Sequence, residues 1–286
     1  MKNCGLVLLV FAVLSQFEVS AQEVNNGYNP HSLNPVHKSY VMYKKTLWRR
    51  MDLEEKQNSP FFSRNKELSK IIIGAVKQGL LFPYQDDSLI TRMSKETFLE
   101  SLKLPDEEGG LSEEEKALGF GSDDGFGDWG FGDESGGGGG EIGEVASEEF
   151  EPRDFSIVEI KEDLYFDRMR SRMYYDIQSI GLYLPAERNP ALYEKPLAFF
   201  KYKDLVQLFR KLPDEAIWYN SANMAEHKNL ADAFELRLFS ANLVKFANPS
   251  DMRIVEIYSK TRKEGITASK RIEHELIEFE NELWEF

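Results

Sequence analysis

The chain offers few places for catalytic or metal chemistry, because it holds four histidines, His31, His37, His227 and His274, and one cysteine, Cys4. The sharpest candidate is the run His274-Glu275-Leu276-Ile277-Glu278. A zinc-hydrolase helix puts two histidines one turn apart so that both face one ion, with a glutamate as base. Here Glu278 stands where the second histidine belongs and no third ligand is indicated, so the run reads as a solvated helix face with charge pairs one turn apart. A second candidate is GFGSDDGFGDWGFGDESGGGGG, residues 119–140. Counting back from Gly125 as the turn glycine of a calcium loop gives Asp124, Ser122 and Phe120, so the first ligand position fails. The glycine-aspartate nonapeptide pattern matches once, at Gly119, Gly121 and Asp123, and no second copy follows. That segment reads as a linker.

His227 lies beside Glu226 in a polar stretch, where capping or solvent exposure is the plain account and catalysis the sharper one. There is no G-x-S-x-G elbow, phosphate-binding loop or dinucleotide fingerprint. Paired carboxylates of a wall hydrolase stay open, because spacing along the chain does not show which acids converge. The expectation is a chain with no catalytic residue, cofactor or metal.

Basic and aromatic residues do cluster. Lys44, Lys45, Trp48, Arg49 and Arg50 form one group, and Arg168, Arg170, Arg172, Tyr174 and Tyr175 another. Arginine beside tyrosine or tryptophan is favoured at protein interfaces. Ordinary strand faces with solvated charge account for the groups equally well. Near the end, Ile272, Leu276, Phe279, Leu283 and Phe286 recur at steps of four and three, a narrow apolar stripe on an acidic helix. It can dock on its own domain or on another chain. The candidate partner-binding residues are Trp48, Arg49, Arg172, Tyr174, Leu276, Phe279 and Leu283.

The elements that must position these residues follow from composition and period. Residues 1–21 carry Lys2, an apolar run from Gly5 to Leu14 and a small-residue exit at Val19, Ser20 and Ala21, which is the pattern of a cleaved secretory signal peptide. The apolar run is shorter than the ~20 residues that span a bilayer. Cys4 precedes it and so cannot accept a lipid at the cleavage site. The formal charge is −14, yet residues 106–151 alone hold 16 acids and one lysine. The rest of the chain is nearly balanced, which argues against nucleic acid as a partner.

Residues 22–37 form a polar arm without periodicity. In residues 38–104, Val41, Tyr43, Leu47, Met51 and Leu53 alternate as in a strand. Leu68, Ile71, Ile72, Val76 and Leu80 then follow helical spacing, Gly79 marks an end, and Ser94 caps a second short helix. Residues 105–151 are rich in glycine and acid, a composition expected to stay flexible. In residues 152–286, Phe155–Phe166 and Met173–Leu184 predict a β-hairpin. A strand and helix follow in PLAFFKYKDLVQLF, then a short helix or helix-to-strand passage from Glu226, a strand at IVEIYS, and the terminal helix. The class is α+β, with two small ordered parts, a flexible linker between them and a C-terminal amphipathic helix.

Several long blocks carry a resemblance: KKTLWRRMDLEEKQNSPFF, IVEIKEDLYFDRMRSRMYYDIQSI, FKYKDLVQLF, AIWYN with AEHKNLADAFELRLFSA, and EFENELWEF. They lie on both sides of the acidic segment, in order, and resemble the gliding-motility GldN family, called PorN in non-gliding relatives. The resemblance implies a non-enzymatic, periplasmic structural subunit of the type IX secretion system of Bacteroidota. It implies association with the outer-membrane lipoprotein GldK (PorK) in a ring on the inner face of that membrane. It also implies contact with the periplasmic region of the motor protein GldM (PorM). A periplasmic peptidoglycan-binding or peptidoglycan-hydrolysing protein is the alternative. Cargo of the secretion system is a weaker one, since the chain ends in a helix and not in a β-rich sorting domain.

Overall fold

A computed structural model describes residues 27–104, 149–258 and 262–284. The signal-peptide expectation and nearly all of the glycine-rich acidic segment lie outside the described residues, as does Phe286.

The framework is an antiparallel sheet of five strands in the order β4-β3-β2-β1-β7. Strand β1 runs Val41–Asp52, β2 Ile157–Asp167, β3 Arg172–Leu184, β4 Lys195–Lys201 and β7 Asn242–Phe246. Strands β2, β3 and β4 form a meander. β1 pairs with β2 from Val41↔Asp167 to Asp52↔Ile157, so the two ordered parts of the chain share one sheet.

Alternation sorts the side chains onto two faces. Met51, Leu47, Val158, Ile160, Leu164, Ile180, Leu182 and Phe200 belong to one face, and their burial shows that it is the inner one. Helices α1 (Leu68–Lys77), α2 (Lys95–Ser101), α3 (Tyr202–Lys211) and α4 (Leu230–Glu235) cover one end of it. The core there includes Phe61, Leu68, Ile72, Phe98, Phe209 and Phe234. Helix α6 (Arg262–Trp284) covers the other end, where Ala268, Ile272 and Leu276 pack on Leu47, Leu164 and Leu243. The small pair β5 (Ile217–Trp218) and β6 (Lys228–Asn229) sits between α3 and α4.

Local chemistry explains the element ends. Ser94 accepts a hydrogen bond from the Thr97 backbone N–H at 3.1 Å and starts α2 as expected. Gly79, at φ +75°, stands just after α1 in the left-handed conformation that ends helices. Inside the sheet, a Cβ on Gly181 would lie 2.7 Å from the Phe199 ring, so only glycine lets these two strands approach.

The stretch expected as a strand at IVEIYS is instead helix α5, Ile254–Tyr258. A run of five apolar and polar residues fits both periods. The deciding feature is the preceding turn: Asn248 accepts from the Met252 N–H at 3.1 Å, and Glu256 accepts from the Arg253 N–H at 2.8 Å, which starts a helix. The polar arm also does more than its composition suggests. Asn29 donates to Gln178 at 2.9 Å, Ser32 is buried, and Leu33 reaches the main core, so residues 27–37 wrap the β3 side of the sheet.

Candidate functional site

Ionisable residues converge in three places. The first is on the inner face where the two core clusters meet. Glu162 takes an inward position among Val158, Ile160 and Leu164, and its side chain is fully buried. It accepts from Arg49 Nε at 2.6 Å and from Arg237 Nη1 at 2.7 Å. Arg49 also donates to Glu273 of α6 at 2.7 Å, and the Tyr175 ring lies 4.4 Å from the Arg237 guanidinium and 5.8 Å from that of Arg49. Burial opposes the Arg49 charge, but Glu162 and Glu273 outweigh it and raise its pKa. This network ties β1, β2, the end of α4 and α6 together.

The second place is a cavity of about 290 Å³ on the outer face, lined in part by Trp48, Asp87, Glu159, Tyr183, Lys245 and Arg253. Trp48 Nε1 donates to Asp87 at 2.7 Å, and Lys161 meets the same carboxylate at 3.2 Å. Lys161 and Lys245 lie 5.3 and 4.5 Å from the Trp48 ring, so its π-face is occupied from within the fold. Burial pushes the Glu159 carboxyl up, with Tyr183 Oη donating to it at 3.3 Å. Burial, followed by the Glu159 charge, pushes the Tyr183 phenol up in turn. A carboxyl raised by burial, as Glu159 is, has the direction of shift that general acids show.

The third lies under the arm. Asp163 accepts from Thr46 Oγ1 at 2.6 Å and pairs with Lys44 at 2.9 Å. Asp176 accepts from Gln178 at 2.7 Å, and burial raises its pKa, with the neighbouring Asp163 charge adding to the rise.

The expected interaction residues therefore divide. Trp48 and Arg49 are held inside the fold by the bonds just described. Leu276 is 6% exposed, in the core between α6 and the sheet. Phe279 is half-buried with its ring 4.7 Å from that of Tyr43, and Leu283 is half-buried too. Arg172 is exposed, and the half-buried Tyr174 lies 5.8 Å from the Tyr165 ring. Among the histidines, His274 faces Glu278 at 3.5 Å on the solvated side of α6. His227 accepts from the Asn220 N–H at 3.1 Å and stacks on Tyr219, which closes a loop. His37 contacts Ser39 at 2.6 Å and the Tyr28 ring edge, while His31 donates its backbone N–H to Asn29 at 3.1 Å. Among the described residues no group of three or more histidine, cysteine or acidic side chains is placed to hold a metal ion. No helix among them is long and apolar enough to cross a membrane.

Long-range register, which spacing alone does not reveal, brings Glu162, Arg237, Glu159 and Asp176 into these clusters. One signal was readable: an acid at position 162 interrupts an inward apolar alternation, and a buried acid needs a cationic partner.

A family model described as gliding motility associated protein GldN matches residues 36–285. The chain belongs to the GldN family. The match runs through β1, the whole sheet and α6, so the strands and helices that build the three clusters all fall within the GldN region. Membership makes the chain a component of gliding-motility and type IX secretion machinery. No curated protein matches it. GldN is a structural part of that machinery, in keeping with charged groups that serve mainly to join sheet, arm and terminal helix.

Proposed function

We propose that this chain is a non-enzymatic, periplasmic structural subunit of the type IX secretion and gliding machinery. In this reading it self-associates in a ring with the outer-membrane lipoprotein GldK (PorK), which holds it at the inner face of that membrane. It also contacts the periplasmic region of GldM (PorM). The supporting observation is the family match over residues 36–285, which includes both ordered parts. In the same reading residues 1–21 direct export, and the acidic segment joins the two parts, whose strands β1 and β2 pair in one sheet.

Deleting the gene should abolish export of secreted cargo and lower the level of the lipoprotein partner; normal cargo export in the deletion strain overturns the proposal. The peptidoglycan-hydrolysing alternative draws on one feature, the carboxyl of Glu159 raised by burial beside Asp87 in the outer cavity. Release of wall fragments by purified protein, lost in Glu159→Gln, would favour that alternative.

A further inference from the structure

Opposite charges gather at one end of the sheet, on its two opposite faces. At the β2–β3 turn Arg168, Arg170 and Arg172 are all exposed. Only Arg170 has an ion pair among the described residues, at 3.5 Å to the buried Asp167. Alternation sets Lys44 and Arg172 on the face turned away from α6; Met42, at the irregularity in β1, and Met169 in the turn are 64% and 69% exposed. Behind the same strand ends lies the second half of α6, held there by the Phe279–Tyr43 ring contact. From Ile272 to Trp284 that helix carries five glutamates and no lysine or arginine. Glu275, Glu278 and Glu282, spaced by three and four, share one exposed flank.

Within one molecule the sheet separates the two patches by about 10 Å of packed protein, close to a screening length at ordinary salt. Neither patch neutralises the other. On the glutamate flank Glu275 meets Arg271 at 3.7 Å and Glu278 meets His274 at 3.5 Å, but these pairs are exposed, so both patches stay accessible to a partner. A second molecule presents both complements in the right relation, front to back.

We propose that the arginine-rich hairpin end of one copy docks on the Glu275–Glu278–Glu282 flank of the next. Such a contact joins two different surfaces, so it propagates, closing into a ring or running on as a filament according to its rotation. It rests on the self-association in the proposed function and assigns the surfaces that make it. An anionic lipid surface fits less well, because the glutamate flank stands at the same end of the molecule and would be repelled by it.

The test uses the chain without residues 1–21 in two charge-reversed forms. One carries Arg168→Glu, Arg170→Glu and Arg172→Glu, the other Glu275→Lys, Glu278→Lys and Glu282→Lys. Sedimentation velocity at low and high salt reads association, and circular dichroism checks the fold. The parent should associate more strongly at low salt, and each variant alone should associate at least about tenfold more weakly, since like charges then face each other. Mixed one to one, the two folded variants should associate again, because each reversed surface meets its complement. The proposal is overturned by a parent that stays monomeric at low salt, by variants that keep parental mass, or by folded variants that fail to associate when mixed. Parent binding to phosphatidylglycerol vesicles that is lost in the arginine variant, with association unchanged, assigns the patch to lipid instead. None of these readouts depends on cargo export, so either proposal can fail without the other.

Discussion

Replacing Glu162 with glutamine tests whether the buried ion network holds the terminal helix. The carboxylate is fully buried and accepts three hydrogen bonds, from Arg49 at 2.6 Å and from Arg237 at 2.7 and 3.2 Å. Removing one partner of a buried pair typically costs about 3–5 kcal/mol. The lower end applies here, because Arg49 keeps Glu273 and the Arg237 side chain is 30% exposed and can be hydrated. At about 3 kcal/mol, a chain of this size should lose roughly 6–12 °C in Tm. Thermal and urea unfolding followed by circular dichroism measure the change. A loss below about 1 kcal/mol would falsify the claim that the network couples sheet to helix, and would place its weight on apolar packing instead. The apolar triple variant Arg49→Met, Glu162→Leu, Arg237→Met separates the two accounts: it should recover most of the stability, since no buried charge is then left unpaired and Glu273 keeps Lys270 at 2.9 Å.

Two further outcomes follow from the packing. Leu276→Asn should cost at least the ~2–5 kcal/mol of a truncated core leucine, and limited proteolysis should cut first within α6; unchanged unfolding would show that this helix is not part of the core. Asp176→Asn should stabilise the chain at neutral pH. Burial raises the folded pKa of Asp176 above its ordinary value of 3.8, so its contribution is fully present below that value and is lost as pH rises through the folded one. The gain should vanish at the acid end of a stability-versus-pH series, and a constant gain across pH would refute the assignment.

The parts of the fold legible in the sequence are those set by local chemistry. The alternation Val41 to Leu53, the Ile71–Val76 helix with Gly79 after it, the Ser94 cap and the hairpin after Phe155 all reappear as elements. Ile254–Tyr258 forms a helix where its residue types suggest a strand, because only Ile254 is buried and the exposed apolar run has no burial period to read. The clusters were hidden for another reason. Arg237 meets Glu162 across 75 positions and Trp48 meets Asp87 across 39, and only strand register brings them together. Trp48, Arg49 and Leu276 looked like interface residues because tryptophan, arginine and leucine that anchor a partner are the same types that anchor an arm or helix of the same chain.

Strand β1 lies second from the edge of the sheet, yet about a hundred residues of chain separate its end from the start of β2. The β2–β3–β4 meander closes through short connections and can assemble early, whereas β1 must return over a long loop. Lengthening that loop changes stability little, about 0.6 kcal/mol per doubling, but it delays the arrival of the strand. Until β1 arrives, β2 shows an unpaired edge bearing Ile157, Ile160 and Leu164, and α6 has no Leu47 to dock on. Whenever β1 is unpaired, the same edge of β2 that accepts β1 is open to any extended strand, including the β1 of a neighbour.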